Sequence, residues 1–288
     1  MGTLVLFFDG IGIGTADPGV NPFAAIAARR FAPLAGRPAD AGASFRPLDA
    51  TLGVPGLPQS ATGQTTILTG INAARVAGRH IQGIPGPILA GILERESLFL
   101  KLVLSGRRPT FANAYTPEHL EAPRPRWSAT TRAVMAARVP FRMLEEHERR
   151  DEALPHDYTG EWWRSRGMKA ARRTASDAAA VLARLTEGHD LVLYEYFLTD
   201  LAGHRGTWEH KLREARRVED LVAAVLERVD LARHRVVTIS DHGNLEQGDH
   251  RRHTLNPVAL LAWGRGAAAL VERVHGLDGL TPALVDGV

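Results

Sequence analysis

Three short apolar runs, rich in β-branched and aromatic residues, each stop at an acidic residue, and this recurrence constrains the fold more than any other feature of the chain. Thr3-Leu-Val-Leu-Phe-Phe8 ends at Asp9-Gly10, Asp190-Leu-Val-Leu-Tyr-Glu-Tyr-Phe197 runs into Thr199-Asp200, and Arg235-Val-Val-Thr-Ile239 runs into Ser240-Asp241-His242. Runs of this length bounded by turn residues read as buried strands. Between the last two, residues 210–229 carry apolar side chains at helical spacing with charges on the opposite face, as a crossover helix does. Strand, helix, strand implies a parallel α/β sheet. In such sheets ligands bind beyond the carboxyl ends of the strands. One strand ending in Asp would be only a turn or cap residue, but three together point to a shared site.

The remaining chain fits around this sheet. Residues 65–74 and 97–104 read as helices and 108–115 as a further strand, while 116–167 are rich in Pro, Arg and Trp without clean periodicity. We expect a single α/β domain over 1–288, a three-layer α/β/α sandwich with a mostly parallel central sheet, in which 116–167 form a small inserted cap near the active site. No internal repeat or low-complexity tract interrupts it.

Composition narrows the function classes. With 44% apolar and 23% charged residues, the 288-residue chain has the balance of a soluble globular protein. The apolar start runs into Asp9 without a basic flank or a small-residue cleavage site, and no apolar run approaches the roughly 20 residues that cross a bilayer, so a cytoplasmic protein without a membrane partner is expected. The absence of cysteine excludes a disulfide framework and confines any metal site to oxygen and imidazole ligands. A formal charge of +3, supplied mainly by dispersed arginines, reads first as a solvated Arg-rich surface, and such a surface could also steer anionic metabolites. No nucleic-acid-binding signature accompanies it, so no nucleic-acid partner is expected. The sequence leaves the oligomeric state open.

Candidate ligands stand at Asp9, Ser60, Asp200, His204, Asp241, His242 and His253. Carboxylates combined with imidazoles suit Mn²⁺, Zn²⁺ or a similar divalent ion. Asp200-Leu-Ala-Gly-His204 brings both side chains to one ion if a first helical turn carries them. Taken singly, an Asp-His pair at a strand end is also a cap, and a lone His such as His253 is also a hydrogen-bonded structural residue. Their joint placement after strands of one sheet is what argues for metal.

Ser60 lies in Gly56-Leu-Pro-Gln-Ser60-Ala-Thr-Gly-Gln64, ahead of an apolar helical stretch. At a helix N-terminus it is either an N-cap or a nucleophile, the latter favoured by the attraction of free backbone N–H groups for phosphate. A serine hydroxyl needs a base or a metal to become reactive. Gly10-Ile-Gly12-Ile-Gly14 fails the dinucleotide fingerprint, since Thr15 occupies the place of its last glycine. We expect these glycines to let the backbone pass close to a metal held by Asp9.

These segments resemble the phosphomutase branch of the alkaline phosphatase superfamily, which contains cofactor-independent phosphoglycerate mutase and phosphopentomutase. Ser240-Asp241-His242-Gly243-Asn244 is similar to the branch's Asp-His-Gly-Asn block, His253-Thr-Leu-Asn256-Pro257-Val258 to its His-Thr-x-Asn-Pro-Val block, and Asp200-Leu-Ala-Gly-His204 to its Asp-x-x-Gly-His block. Asp9-Gly-Ile-Gly-Ile-Gly14 resembles the opening loop of phosphopentomutases. Ser60 falls where the family has its Ser or Thr nucleophile, and Gln64 where mutases usually have His. The resemblance implies two cations about 3.5–4 Å apart. One would be held by Asp200, His204 and His253, the other by Asp9, Asp241, His242 and the Ser60 oxygen. Ser60 would then form a phosphoserine intermediate with a small phosphorylated substrate. Mn²⁺ is the ion the mutase branch favours, and Zn²⁺ fits the same ligands.

The chain departs from the mutases in having little room for their larger inserted domain. A smaller cap excludes water less well and favours hydrolysis, so a phosphatase or phosphotransferase is expected ahead of a compact mutase. A non-catalytic metal-binding relative is the alternative from another class. A sulfatase is disfavoured, because Ser60-Ala-Thr-Gly-Gln64 lacks that branch's Pro and Arg. Arg75, Arg79, His80, Arg124, Arg126 and Trp127 can be read either as solvated surface or as contacts to a substrate anion.

Overall fold

The computed structural model describes residues 1–122 and 126–287. Among the described residues eight strands form: β1 Thr3–Phe8, β2 Ser44–Leu48, β3 Pro109–Phe111, β4 Ala114–Tyr115, β5 Arg142–Met143, β6 Leu191–Tyr196, β7 Arg235–Ile239 and β8 Val258–Gly264. Six of them make one sheet in the order β2-β8-β7-β1-β6-β3, and β4 pairs with β5 apart from it. β1 runs parallel to both β6 and β7, and β3 parallel to β6, whereas β8 is antiparallel to its neighbours β7 and β2.

The sheet is covered on both faces, which is why its strands are apolar throughout instead of alternating. Leu4, Leu6, Phe8, Val192, Tyr194, Tyr196 and Val236 pack into one cluster, under helices Ala175–Gly188 and Trp208–Arg228. Val5, Phe7, Leu191, Leu193, Val237 and Ile239 face the other way, against helices Ser60–Thr69, Leu98–Leu104 and Ala129–Ala136. Each fully buried side chain of this size contributes roughly 1.5–3 kcal/mol by leaving water. The chain thus folds as α/β/α layers around a mostly parallel sheet, the expected class.

Two expected elements are divided. The helix anticipated over 65–74 begins earlier, at Ser60, and stops at Thr69. Gly70 caps it in the left-handed region at φ 77°, and a second helix, Ala73–Ala77, follows. The strand anticipated over 108–115 ends at Phe111. There the Asn113 side chain takes over the edge of β6, its Oδ1 accepting from Glu195 N (2.8 Å) and its Nδ2 donating to Glu195 O (2.7 Å). Within 116–167, helix Ala129–Ala136 buries Ala129, Ala133 and Val134 in the core layer. Arg124 lies outside the described residues. Among those residues no helix is long and apolar enough to cross a membrane.

Candidate metal centre

The parallel register of β1, β6 and β7 brings their carboxyl ends level, so Asp9, the segment after Tyr196 and Asp241 leave the sheet side by side. Asp200 and His204 lie one turn apart on helix Leu198–Arg205, with Asp200 Oδ1 3.4 Å from His204 Nε2. His253 comes from the loop before β8, and its Nε2 stands 2.9 Å from His204 Nε2 and 3.6 Å from Asp200 Oδ1. Further in, His242 Nε2 is within 3.0 Å of Ser60 Oγ, 3.3 Å of Asp9 Oδ1 and 3.5 Å of Asp241 Oδ2. All seven residues singled out from the sequence therefore meet in one place.

Ser60 occupies the first turn of helix Ser60–Thr69, but Gln59 is the N-cap and the Ser60 hydroxyl makes no cap bond. It turns instead to His242. Gly63, on the same helix, is a close-approach glycine: a Cβ there would lie 2.8 Å from Asp241 O. Gly10 has φ +71°, and a Cβ there would lie 2.6 Å from Asp200 Oδ1, so the opening loop needs glycine to clear the acidic group.

The donor chemistry fits divalent cations. Each imidazole directs Nδ1 at a backbone carbonyl: His204 at Arg251 O (2.8 Å), His253 at Pro58 O (2.7 Å) and His242 at Gly243 O (3.4 Å). This turns each Nε2 inward, the arrangement that a carbonyl partner on the other ring nitrogen imposes on ligating histidines. Two Nε2 atoms 2.9 Å apart, and a single Nε2 within 3.5 Å of two carboxylate oxygens and a hydroxyl, bring together donor atoms that a cation would draw in. Asp9 Oδ1 is buried and has no hydrogen-bond donor. Donor atoms of Asp200, His204 and His253 all lie within 4.8 Å of one another, as do those of Asp9, Asp200 and His242. Asp200 thus borders both groups, whereas the resemblance assigns it to one.

Electrostatics agrees. Burial, reinforced by the charges of Asp241 and Asp200, pushes the Asp9 carboxyl well above the usual range. Burial acts in the same direction on Asp200, but its bond to His253 and the charges of His242 and His204 outweigh that and hold it at about 2. Burial depresses His242, while in His253 the same effect is overcome by Asp200, which raises it.

Several supporting residues escaped the sequence reading. Glu246, fully buried, accepts from Gly12 N and Asn244 N (both 2.8 Å), from Thr254 Oγ1 (2.6 Å) and from Asn256 Nδ2 (3.0 Å), joining the three loops that carry the ligands. Asn244 Nδ2 donates to Asp200 Oδ1 (2.8 Å), and Thr199 Oγ1 to Asp9 O (2.5 Å). Lys211 Nζ reaches Gly248 O and His250 O (both 3.0 Å) and so holds the loop that leads to His253. Asn244 and Glu246 sit inside the Asp241–Glu246 block, and only their sequence proximity to ligands signalled them. The glycine loop is packed by this network: Gly12 lies against Glu246 and Gly14 against Asn21, and Gly10 alone abuts a ligand side chain. Of the ambiguous residues, Arg75, Arg79 and Arg126 are exposed, His80 Nε2 lies 3.1 Å from Val54 O, and Trp127 is half-buried under the Arg132 guanidinium.

Residues 165–279 match the family model described as the Metalloenzyme superfamily, a stretch that contains Asp200, His204, Asp241, His242 and His253. The 2,3-bisphosphoglycerate-independent phosphoglycerate mutase of Paracoccus denitrificans (strain Pd 1222) is 30% identical over 125 residues, 41% of this chain and 24% of the mutase. The cold-active alkaline phosphatase from the psychrophile Shewanella sp. superposes over 99% of both chains with a TM-score of 0.55 at 11% identity. The chain has the fold of these alkaline phosphatases, and its residues 165–279 are similar to the Metalloenzyme superfamily. The PH0037 protein from Pyrococcus horikoshii shares the same fold, at TM-score 0.58 and 12% identity over 99% of this chain and 96% of that one. The alkaline phosphatase fold thus spans the whole chain, whereas the aligned sequence corresponds to about a quarter of the mutase's length.

Proposed function

We propose that this chain is a two-cation enzyme that transfers the phosphoryl group of a small phosphorylated metabolite through Ser60, with water as the usual acceptor. The observation that carries the reading is the Ser60 hydroxyl at 3.0 Å from His242 Nε2, beside the unpartnered Asp9 Oδ1. Asp200, His204 and His253 would hold one divalent cation, Mn²⁺ or Zn²⁺, and Asp9, Asp241 and His242 the other, next to Ser60. When bound, the cations would supply neutralisation of the phosphoryl oxygens and a lowered hydroxyl pKa.

The chain's own residues do the rest. Helix Ser60–Thr69 aims its N-terminus, with its positive dipole end, at the position of an incoming phosphate. Ser60 Oγ attacks phosphorus in line, and the Ser60 O–P bond forms as the ester O–P bond breaks, the proton given up by Ser60 balancing the one taken up by the leaving oxygen. A water oxygen then attacks the same phosphorus, the Ser60 O–P bond breaks, and one of the water protons returns to Ser60 Oγ. An acceptor hydroxyl on the substrate would instead give a mutase, and the smaller cap favours water.

The test is a panel of phosphomonoesters and phosphodiesters given to the protein loaded with Mn²⁺ or Zn²⁺. Free phosphate is the expected product. Isomerised phosphate ester without free phosphate would establish the mutase reading in its place. No turnover by a protein that retains both ions would favour a non-catalytic metal-binding relative.

A further inference from the structure

One residue of the helix that carries Ser60 touches both buried carboxylates. Gln64 follows Ser60 by four positions, one helical turn, so the two side chains share a face. Its Nε2 donates to Asp9 Oδ2 (3.1 Å) and to Asp241 Oδ2 (3.2 Å), one hydrogen to each. The opposite placement of the amide would set its oxygen against two carboxylates, so electrostatics fixes the donor orientation. The side chain is buried.

This double bond removes options from both acids. Asp9 Oδ2 is engaged by Gln64, which leaves Oδ1 as its open oxygen, buried and unpartnered. Asp241 Oδ1 accepts from Gly10 N (3.3 Å) and His242 N (3.1 Å), and Gln64 takes one side of Oδ2. The two remaining acceptor positions, Asp9 Oδ1 and Asp241 Oδ2, are the ones 3.3 and 3.5 Å from His242 Nε2. Neither carboxylate is free to turn both oxygens inward.

We propose that Gln64 is a positioning residue that makes Asp9 and Asp241 one-oxygen ligands of the inner cation and locks their spacing to Ser60. The inference rests on the two-cation reading above. It predicts that loss of the amide donor weakens the inner ion alone, because both Gln64 hydrogen bonds go to Asp9 and Asp241. Loss of a donor that holds a ligating side chain in this way changes metal affinity by about 10–100-fold.

The test is calorimetric titration of the metal-free protein with Mn²⁺ and, separately, with Zn²⁺, with bound ions counted by elemental analysis. Gln64→Met keeps length and volume but cannot donate, and Gln64→His restores an N–H donor. The expected result is two ions for the parent, one unchanged and one weakened about 10–100-fold in Gln64→Met, and substantial recovery in Gln64→His. Two ions at parental affinity in Gln64→Met would overturn the proposal, even if that variant melted earlier, since that combination marks a purely structural role. Should Gln64→Met lose its cooperative melting transition, Gln64→His decides: near-parental affinity supports the proposal and loss of the inner ion overturns it. A parent that binds fewer than two ions would remove the two-cation reading and this inference with it.

Discussion

The two halves of the metal centre are built differently. The outer group, Asp200, His204 and His253, has two imidazoles to one carboxylate, and its Asp200 and His204 side chains are 19% and 30% exposed. The inner group inverts that ratio, setting Asp9 and Asp241 against His242, and the Asp241 and His242 side chains are wholly buried. Outer ligands come from one half-buried helix turn and one loop. Inner ligands come from the ends of two central strands, tied by Glu246 and Gln64 into the packing of the sheet. The outer group is therefore open to exchange with solvent, while changes to the inner group are felt by the fold as well as by the ion.

Ser60→Ala tests what the two halves jointly serve and carries the largest expected effect. Turnover should fall by at least roughly 10³-fold, because the nucleophile is lost, while elemental analysis still finds both ions. Unchanged turnover would mean that the centre does not work through this hydroxyl.

Glu246→Ala tests the claim that the inner half is part of the core. Two buried N–H groups, of Gly12 and Asn244, lose their acceptor, so urea unfolding of the metal-free protein should show a loss of roughly 2–5 kcal/mol. Metal affinity should fall with it by about 10–100-fold. Parental stability would erase the distinction between the halves.

His204→Ala is the counterpart on the outer half. The variant should lose affinity for one ion, with activity regained at higher metal concentration. Its metal-free stability should stay within about 0.5 kcal/mol of the parent, as for a surface substitution. A larger drop would place the outer group in the core as well.

The smallest expected effect is a pH slope away from both halves. Burial, with the nearby charge of His119, lowers His156 from 6.5 to about 4, so the folded protein keeps it neutral where the unfolded chain would protonate it. Its contribution to stability is complete above pH 6.5 and is lost as the pH falls from there towards 4. A His156→Phe variant, compared with the parent by denaturant unfolding across that window, should show a shallower acid limb. Equal slopes would contradict the depressed value.

Legibility in the sequence followed locality. The strands of Thr3–Phe8, Leu191–Tyr196 and Arg235–Ile239 were readable because burial on both faces demands unbroken apolar runs, and six of the seven clustered residues because each follows a strand or sits on a helix; His253, in the loop before β8, was signalled only by the motif it opens. The broken strand at Asn113 was not, since its cause is a side chain bonding to Glu195, 82 positions away. Gln64 drew notice only as a departure from a motif. Its partners lie 55 and 177 positions off, and no spacing rule connects them.

The sequence by itself determined the parallel α/β core built on β1, β6 and β7 and the identity of the residues that gather at its carboxyl end, because periodicity and turn chemistry act over a few residues, but not the antiparallel strands β2 and β8. Tertiary structure alone decided that Asp200 borders both ligand groups, that Ser60 faces His242 instead of capping its helix, and that Glu246 and Gln64 fix the geometry. Those outcomes depend on which lone pairs and donors meet across distant segments once the sheet has formed. A linear pattern specifies which groups are present, and packing specifies where they point.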